Sequence, residues 1–463
     1  MTLIKSISGI RGTIGGKPED ALSPVDIVKF TTAFATFIKK SSESDKIKIV
    51  VGRDARISGE MVNRIVAGTL LAMGADVIDA GLSTTPTVEM AVVEEKADGG
   101  IILTASHNPE NWNALKLLNR KGEFLSADDG VLLLKIIEKG DFTYSDVKKL
   151  GTYKNDDSFI KKHIQKILEL PLVDTDAIKK AGFKVAIDCV NSTGGIALPP
   201  LLKALGVKKI EELYTEPNGK FPHNPEPLPE NLGEISELVK KTNADVGFVV
   251  DPDVDRLAII SEDGEMFGEE YTLVAVSDYV LQYQTGNTVS NLSSTRALKD
   301  VTEKFGGKYF ASAVGEVNVV EKMKAMNAII GGEGNGGVIY PELHYGRDSL
   351  VGIALFLSHL AKKGISCSAL RASYPSYYIS KNKIELSPEM DVDAVLKQMT
   401  EKYKTHNVNT EDGVRIDFDK EWVHLRKSNT EPVVRIYSES DSEATATYLA
   451  NKIIDDIKDI VRS

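Results

Sequence analysis

Two rhythms of apolar and polar positions alternate along most of this chain. Residues 46–51 read KIKIVV, and a run of β-branched residues with that spacing predicts a strand. Residues 59–73 then place apolar side chains at helical intervals, 75–80 read as a second strand, 87–95 as a helix and 100–103 as a third strand. After a polar stretch at 140–157 the pattern restarts at residue 184 (KVAIDCV). A helix at 195–205, a strand at 209–214, a helix at 232–241 and a strand at 245–250 follow. A third cycle begins near residue 269. It passes through strands at 289–292, 308–313 and 328–330 and ends in the apolar helix 350–361. This alternation predicts α/β layers. Beyond residue 372 the order changes. A short strand at 383–386, a helix at 391–403, paired strands at 413–418 and 422–426 and a last helix at 442–461 predict a smaller α+β domain.

Length agrees with that division. The 463 residues allow roughly three domains, or four where one is small. The expected spans are 1–150, 151–260, 261–368 and 369–463, three similar mixed α/β domains followed by the α+β one. Hydrophobic residues make up 42% and charged residues 27%, an ordinary globular balance that gives each domain a core. A net charge of −11 without a basic run argues against a nucleic-acid partner. No stretch of about 18 apolar residues predicts a membrane span, and the start MTLIK has no apolar signal core. Cys189 and Cys367 alone make neither a disulfide framework nor a zinc set, which fits a cytoplasmic location. The histidines at 163, 223, 344, 359, 406 and 424 have no metal-ligand spacing and are expected to be ordinary surface or core residues.

The strongest chemical signal is Asp251-Pro252-Asp253-Val254-Asp255-Arg256, just past an apolar strand. Alternate residues of extended chain share a side, so three carboxylates converge and repel unless a cation lies between them. Oxygen-only ligands suit a hard ion such as Mg²⁺. The plain alternative is a solvated acidic turn. A calcium loop is set aside because its sixth position needs glycine and holds Arg256, between flanks that read as strands. A phosphatase using Asp251 as nucleophile stays open at this point.

A second signal is Thr104-Ala105-Ser106-His107-Asn108-Pro109, directly after the strand at 100–103. Pro109 holds Asn108 out of helix, so this is a tight loop with a hydroxyl, an imidazole and, a little further on, Lys116. By itself it reads first as a helix-capping turn, since Ser and Asn are ordinary cap residues.

Together the motifs resemble the α-D-phosphohexomutases. Thr104–Pro109 is similar to that family's phosphoserine loop, T-x-S-H-N-P. Asp251–Arg256 is similar to its metal loop, D-G-D-G-D-R, with Pro252 and Val254 in place of the glycines. Gly332-Glu333-Gly334-Asn335-Gly336-Gly337 resembles the sugar-reading loop, with Asn335 where relatives often have serine and Gly337 where many have histidine. The run from Arg426 through Ser428, Asn429 and Thr430 to Arg435 resembles the phosphate-gripping loop. Ser8–Gly12, Gly52-Arg53-Asp54 and Ser58-Gly59 match further signatures of the family, all in family order, and Gly346-Arg347-Asp348 also resembles a family loop at a helix start, expected to be structural with a substrate contact open to it.

The resemblance implies four domains around a central cleft: a phosphoserine-loop domain (1–150), a metal-binding domain (151–260), a sugar-binding domain (261–368) and a C-terminal phosphate-binding domain (369–463). It implies an intramolecular phosphotransferase in which Ser106 carries a phosphoryl group. Mg²⁺ is then held by Ser106, Asp251, Asp253 and Asp255, and a sugar 1,6-bisphosphate serves as primer and intermediate. Arg256 adds positive charge near the phosphate. Lys116 is expected to transfer a proton, provided its pKa is lowered. Arg11, which resists deprotonation, is expected to give charge support, and His107 to orient the serine. Glu333 and Asn335 would read the sugar, and Arg426, Ser428, Asn429, Thr430 and Arg435 would grip the far phosphate. Expected partners are small sugar phosphates, with glucosamine phosphate placed first. A mutase acting on both mannose and glucose phosphates is the alternative, and a Mg²⁺-dependent sugar phosphatase is the more distant one. The chain is expected to work as a monomer or homodimer.

Overall fold

The computed structural model describes residues 2–6, 9–42, 46–385, 391–427 and 433–462. The chain forms two compact units: Met1–Thr272 with Asn335–Leu370, and Leu273–Gly334 with Arg371–Ser463.

The first unit opens with β1 (Ile4–Ser6), β2 (Gly9–Thr13), α1 (Pro24–Ser41), β3 (Lys48–Arg53), α2 (Gly59–Ala72), β4 (Asp76–Leu82) and α3 (Thr85–Glu94). It continues with β5 (Gly99–Leu103), β6 (Trp112–Asn119), α4 (Ala127–Lys139) and β7 (Tyr153–Asn155). These strands make one seven-stranded sheet in the order β1-β2-β6-β5-β3-β4-β7. The strands β5, β3, β4 and β7 run parallel, while β6, β2 and β1 add antiparallel. Both faces of β3 are covered. Ile49 and Val51 meet α1 and α2 through Phe30, Phe34, Val62 and Val66, while Val50 lies in the opposite cluster with Val88 and Val92 of α3. Ser23 and Asp26 form a reciprocal capping box at the start of α1, with Pro24 in its first turn.

The unit goes on with α5 (Phe159–Leu168), α6 (Thr175–Ala181), β8 (Lys184–Asp188), α7 (Gly194–Leu205), β9 (Lys209–Leu213), α8 (Gly233–Thr242), β10 (Val246–Val250) and β11 (Leu257–Ser261). Their sheet has the order β11-β10-β8-β9, parallel except for the β10–β11 hairpin. Thus β5 and β10, which precede the two chemical motifs, both deliver them at the C-terminal ends of parallel strands. Ligands of α/β proteins bind at such ends.

After α9 (Glu269–Tyr283), the second unit carries β12 (Asn287–Asn291), α10 (Ala297–Lys304), β13 (Tyr309–Ser312), α11 (Glu316–Ala325) and β14 (Ala328–Glu333). Both β13 and β14 pair in parallel with β12. The chain then returns to the first unit with β15 (Gly337–Ile339) and α12 (Ser349–Lys363), followed by α13 (Cys367–Ala372). In chain order α12 closes the third cycle; in space it packs on α5, α6 and α7. The remainder of the second unit is β16 (Tyr378–Glu385), α14 (Val392–Lys402), β17 (Asn407–Asn409), β18 (Val414–Asp417), β19 (Trp422–Lys427), β20 (Val433–Ser440) and α15 (Glu443–Arg462). Its antiparallel sheet has the order β16-β20-β19-β18-β17, with a core of Leu396, Met399, Ile416, Leu425, Ile436 and Ile453 beneath α14 and α15. No helix among the described residues is long and apolar enough to cross a membrane.

Candidate active site

Strand β5 is buried along its whole length and ends at Leu103, one residue before the serine loop. Ser106 takes a left-handed backbone (φ 49) and is 7% exposed. A non-glycine residue keeps that conformation only where its surroundings impose it. Here Thr104 Oγ1 accepts the Ser106 amide at 2.9 Å and itself donates to Asp54 Oδ2 at 2.6 Å. The guanidinium of Arg56, buried at 1% exposure, does the rest. Its Nη2 donates to the carbonyls of Ser106 and Asn108, each at 2.6 Å, and its Nη1 to those of Pro109 (2.5 Å) and Trp112 (3.0 Å). Its Nε pairs with Asp54 Oδ2 at 3.0 Å. The planar five-donor fork of arginine suits this task. Sequence reading passed over Arg56, because nothing in local spacing distinguishes a buried staple from a surface charge.

The acid loop joins β10 to β11. Asp251, Asp253 and Asp255 are fully buried, and one oxygen of each lies within 4.8 Å of the others. They converge through a turn rather than through strand alternation as expected. The Val254 amide donates to the Asp251 carbonyl, and Val254 itself is left-handed (φ 64) at a position where glycine is usual in the resembling family. Ser192 and Thr193 hold the Pro252 carbonyl at 2.7 and 2.8 Å. Asp251 Oδ1 accepts the amides of Asp255 and Arg256, and its Oδ2 accepts Ser106 Oγ at 2.8 Å. Asp253 Oδ2 accepts Thr85 Oγ1 (2.6 Å) and Lys116 Nζ (2.7 Å); Asp255 Oδ2 accepts Arg347 Nη2 (2.7 Å).

Two oxygens remain. Asp253 Oδ1 and Asp255 Oδ1 are buried with no hydrogen-bond partner in the structure. Burial, and then the charges of Asp253 and Asp255, push the Asp251 carboxyl well up. Asp253 goes the other way: burial would raise it, but Lys116 holds it below the usual range. A buried trio with two orphaned oxygens and one carboxyl driven toward its protonated form fits a hard divalent cation such as Mg²⁺, which would take up those lone pairs.

Cations ring the trio. Lys116 stands on β6 opposite Ile102 of β5. Burial alone would lower its pKa, but Asp253 and Asp255 overcome this and raise it. That is the reverse of the lowering a proton carrier needs. His107 Nδ1 is 3.4 Å from Ser106 Oγ, and burial together with the Arg256 charge pushes the ring down to about 2, so it stays neutral. Arg256 Nη1 bonds Glu226 Oε1 at 3.0 Å. Arg11 on β2 is partly buried, and desolvation lowers its pKa. Arg347 crosses the face of Gly337, where an added Cβ would lie 2.3 Å from Arg347 Cδ. Arg347 lies in the Gly346-Arg347-Asp348 stretch that resembles a family loop, but its bond to Asp255 is not readable from the chain; Thr85 and Glu226 were not legible as site residues. Each comes from a different segment and joins only through tertiary contact.

The residues expected to read sugar and phosphate are distributed over the two units. Glu333, at the end of β14 in the second unit, is 5% exposed and accepts Asn291 Nδ2 and the Gly315 amide, each at 3.0 Å. Asn335 belongs to the first unit, and its Oδ1 accepts the Gly337 amide. Arg426 and Arg435 face each other across β19 and β20 in the second unit. Like charges directly opposed on a sheet repel, so the pair suits an anion; Asp412 already stands 2.9 Å from Arg426 Nε. Ser428, Asn429 and Thr430 lie outside the described residues.

A strand-end hydroxyl set against caged carboxylates and ringed by cations, on stacked α/β layers, defines a phosphoryl-transfer enzyme. Comparison with known proteins agrees. The chain matches phosphoglucomutase/phosphomannomutase alpha/beta/alpha domain I over residues 3–144, domain II over 161–264, domain III over 268–378 and the C-terminal domain over 383–456. It is 36% identical over 441 residues to the phosphoglucomutase/phosphomannomutase of Thermococcus kodakarensis, covering 94% of this chain and 95% of that one. It is 33% identical over 456 residues to the phosphoglucosamine/phosphogalactosamine mutase of Sulfurisphaera tokodaii, covering 96% and 97%. The crystal structure of a phosphoglucomutase/phosphomannomutase family protein from Burkholderia thailandensis superposes with a TM-score of 0.83 at 27% identity, covering 98% of both chains. The chain belongs to the phosphoglucomutase/phosphomannomutase family and is a phosphohexomutase.

Proposed function

We propose that the protein interconverts the 6- and 1-phosphates of a hexosamine or hexose through a phosphoserine at Ser106 and a bisphosphorylated sugar, with glucosamine phosphate preferred. The observation that carries the reading is Ser106 Oγ, presented by a left-handed backbone 2.8 Å from Asp251 beside two orphaned carboxylate oxygens. Mg²⁺ held by Ser106, Asp251, Asp253 and Asp255 would supply neutralising charge for the transferring phosphoryl group. Arg256 and Arg11 add fixed positive charge. Lys116, paired to Asp253 and Asp255, supplies charge as an ammonium; proton transfer from it requires those pairs to open. His107, neutral, orients the serine. The sugar is read by Glu333 and Asn335, and the far phosphate is gripped by Arg426, Ser428, Asn429, Thr430 and Arg435. Residues 1–150, 151–260, 261–368 and 369–463 thus divide the labour as serine, metal, sugar and phosphate domains. A sugar 1,6-bisphosphate primes the serine. The buried free thiols of Cys189 and Cys367 fit a reducing cytoplasm, and the working unit is a monomer or homodimer.

The phosphatase reading is weaker, because both oxygens of Asp251 are already engaged, one by two backbone amides and one by Ser106. For the substrate, the names of the relatives support both an amino sugar and the glucose/mannose pair. Coupled assays on glucosamine, glucose and mannose 6-phosphates test the preference. Negligible turnover of glucosamine 6-phosphate beside rapid turnover of the other two overturns it. Phosphate recovered on a peptide other than that of Ser106 overturns the mechanism.

A further inference from the structure

We propose that His163, His344 and Asp348 form a second metal site in the first unit, built for a transition-metal ion such as Zn²⁺ and separate from the oxygen-only trio. The three come from α5, from the turn before α12 and from the cap of α12. The histidines were expected to be ordinary because their spacing along the chain is not that of metal ligands; the convergence is tertiary. His163 Nε2 and His344 Nε2 stand 2.9 and 3.3 Å from the same oxygen, Asp348 Oδ2. Metal bonds of about 2.1 Å in a tetrahedron place ligand atoms about 3.4 Å apart, so a small outward shift of these atoms admits an ion.

The outer contacts follow the pattern of zinc histidines, whose second ring nitrogen is fixed by an oxygen group. His163 Nδ1 is 2.9 Å from Thr87 Oγ1, and His344 Nδ1 is 3.4 Å from Glu89 Oε2. Asp348 keeps its other oxygen on the Leu350 and Val351 amides, leaving Oδ2 for the ion. The ring planes cross at 89° with centroids 6.2 Å apart, so neither ring covers the other's nitrogen. His163, Asp348 and Glu89 are buried, while the His344 side chain is 12% exposed and is the edge of the cluster nearest solvent. Charge agrees as well: a dication balances the two buried carboxylates of Glu89 and Asp348. Without metal, a proton on His344 bridges them, and they raise its pKa to about 10 against the lowering effect of burial. Metal entry releases that Nε2 proton to solvent. Imidazole donors select zinc-like ions over Mg²⁺.

The test adds Co²⁺ to metal-free full-length protein in excess Mg²⁺. The expected result is an intense tetrahedral visible band saturating at one equivalent, displaced by Zn²⁺ and absent from His163→Gln and His344→Gln. A weak octahedral spectrum alone, or a band that survives both substitutions, overturns the proposal. Should both variants fail to fold, wild-type protein still decides: two strongly shifted, solvent-exchangeable imidazole N–H proton signals from the Co²⁺ derivative uphold it, and their absence overturns it.

Discussion

Arg56→Lys tests the reading that the serine loop is held rather than merely present. Arg56 gives two bonds to the carbonyls of Ser106 and Asn108 and two more to Pro109 and Trp112. An ammonium keeps the charge beside Asp54 but cannot span four carbonyls. Each charge-assisted bond contributes about 1.5–3 kcal/mol, so losing the Ser106 and Asn108 pair removes about 3–6 kcal/mol of support. The left-handed Ser106 conformer costs about 1–2 kcal/mol by itself, and the loop then relaxes away from it. If about 3 kcal/mol of that loss falls on the competent conformer, kcat drops about 100-fold. KM for the sugar phosphate stays nearly constant, because the residues assigned to sugar and far phosphate are untouched. Steady-state kinetics and mass spectrometry of Ser106 phosphorylation after treatment with a sugar bisphosphate measure both effects. A folded Arg56→Lys protein with kcat within about threefold of wild type would refute the argument.

Three other outcomes follow from the geometry. Ser106→Ala loses turnover by about 1,000-fold or more and carries no stable phosphate, whereas His107→Gln retains the phosphopeptide; peptide mapping separates the two. Val254→Gly is no less stable to urea than Val254→Ala, although it removes one more carbon from a buried site. Glycine relieves the left-handed strain that alanine keeps, where at an ordinary position the second truncation costs a further ~1 kcal/mol. In EDTA, the contribution of His344 to stability is complete below its unfolded pKa of about 6.5. It fades as pH rises toward the folded value of about 10, since a raised pKa means the native state holds the proton more tightly. Thermal melts of His344→Gln should lose that slope, and an unchanged slope would remove the assignment.

The parts of the molecule that were legible from sequence are those whose logic is contiguous. The serine loop 104–109 and the acid loop 251–256 each occupy six consecutive residues, and each follows a strand whose apolar run announces it. The helix α1 was readable too, through Ser23, Pro24 and Asp26, but was passed over because no chemistry drew attention to it. The strand β6 carries Lys116 yet reads WNALKLLN, with too little alternation to separate it from a helix. The strand β20 begins inside the stretch resembling a phosphate loop, so its alternation VVRIYSES was absorbed into the motif. Arg56 and the pairing of His163 with His344 left no local trace, and Gly346-Arg347-Asp348 showed only as a loop at a helix start, because their meaning lies in what the fold sets beside them.

Seen as charge, these contacts have one organiser. Three buried carboxylates face two contacting cations, Lys116 and Arg347, and one negative charge is left over. Burial first, and then that surplus, drives Asp251 toward protonation and makes the pocket a sink for positive charge. Arg256, the residue directly after the trio's last member, makes its ion pair elsewhere. Its Nη1 rests on Glu226, a residue 33% exposed at its side chain and therefore screened by water. A partly solvated carboxylate is a weak competitor for a guanidinium against a doubly charged phosphate with three acceptor oxygens. On the proposed function, Arg256 is thus more easily released to an arriving phosphoryl group than Lys116 or Arg347, whose carboxylate partners are fully buried.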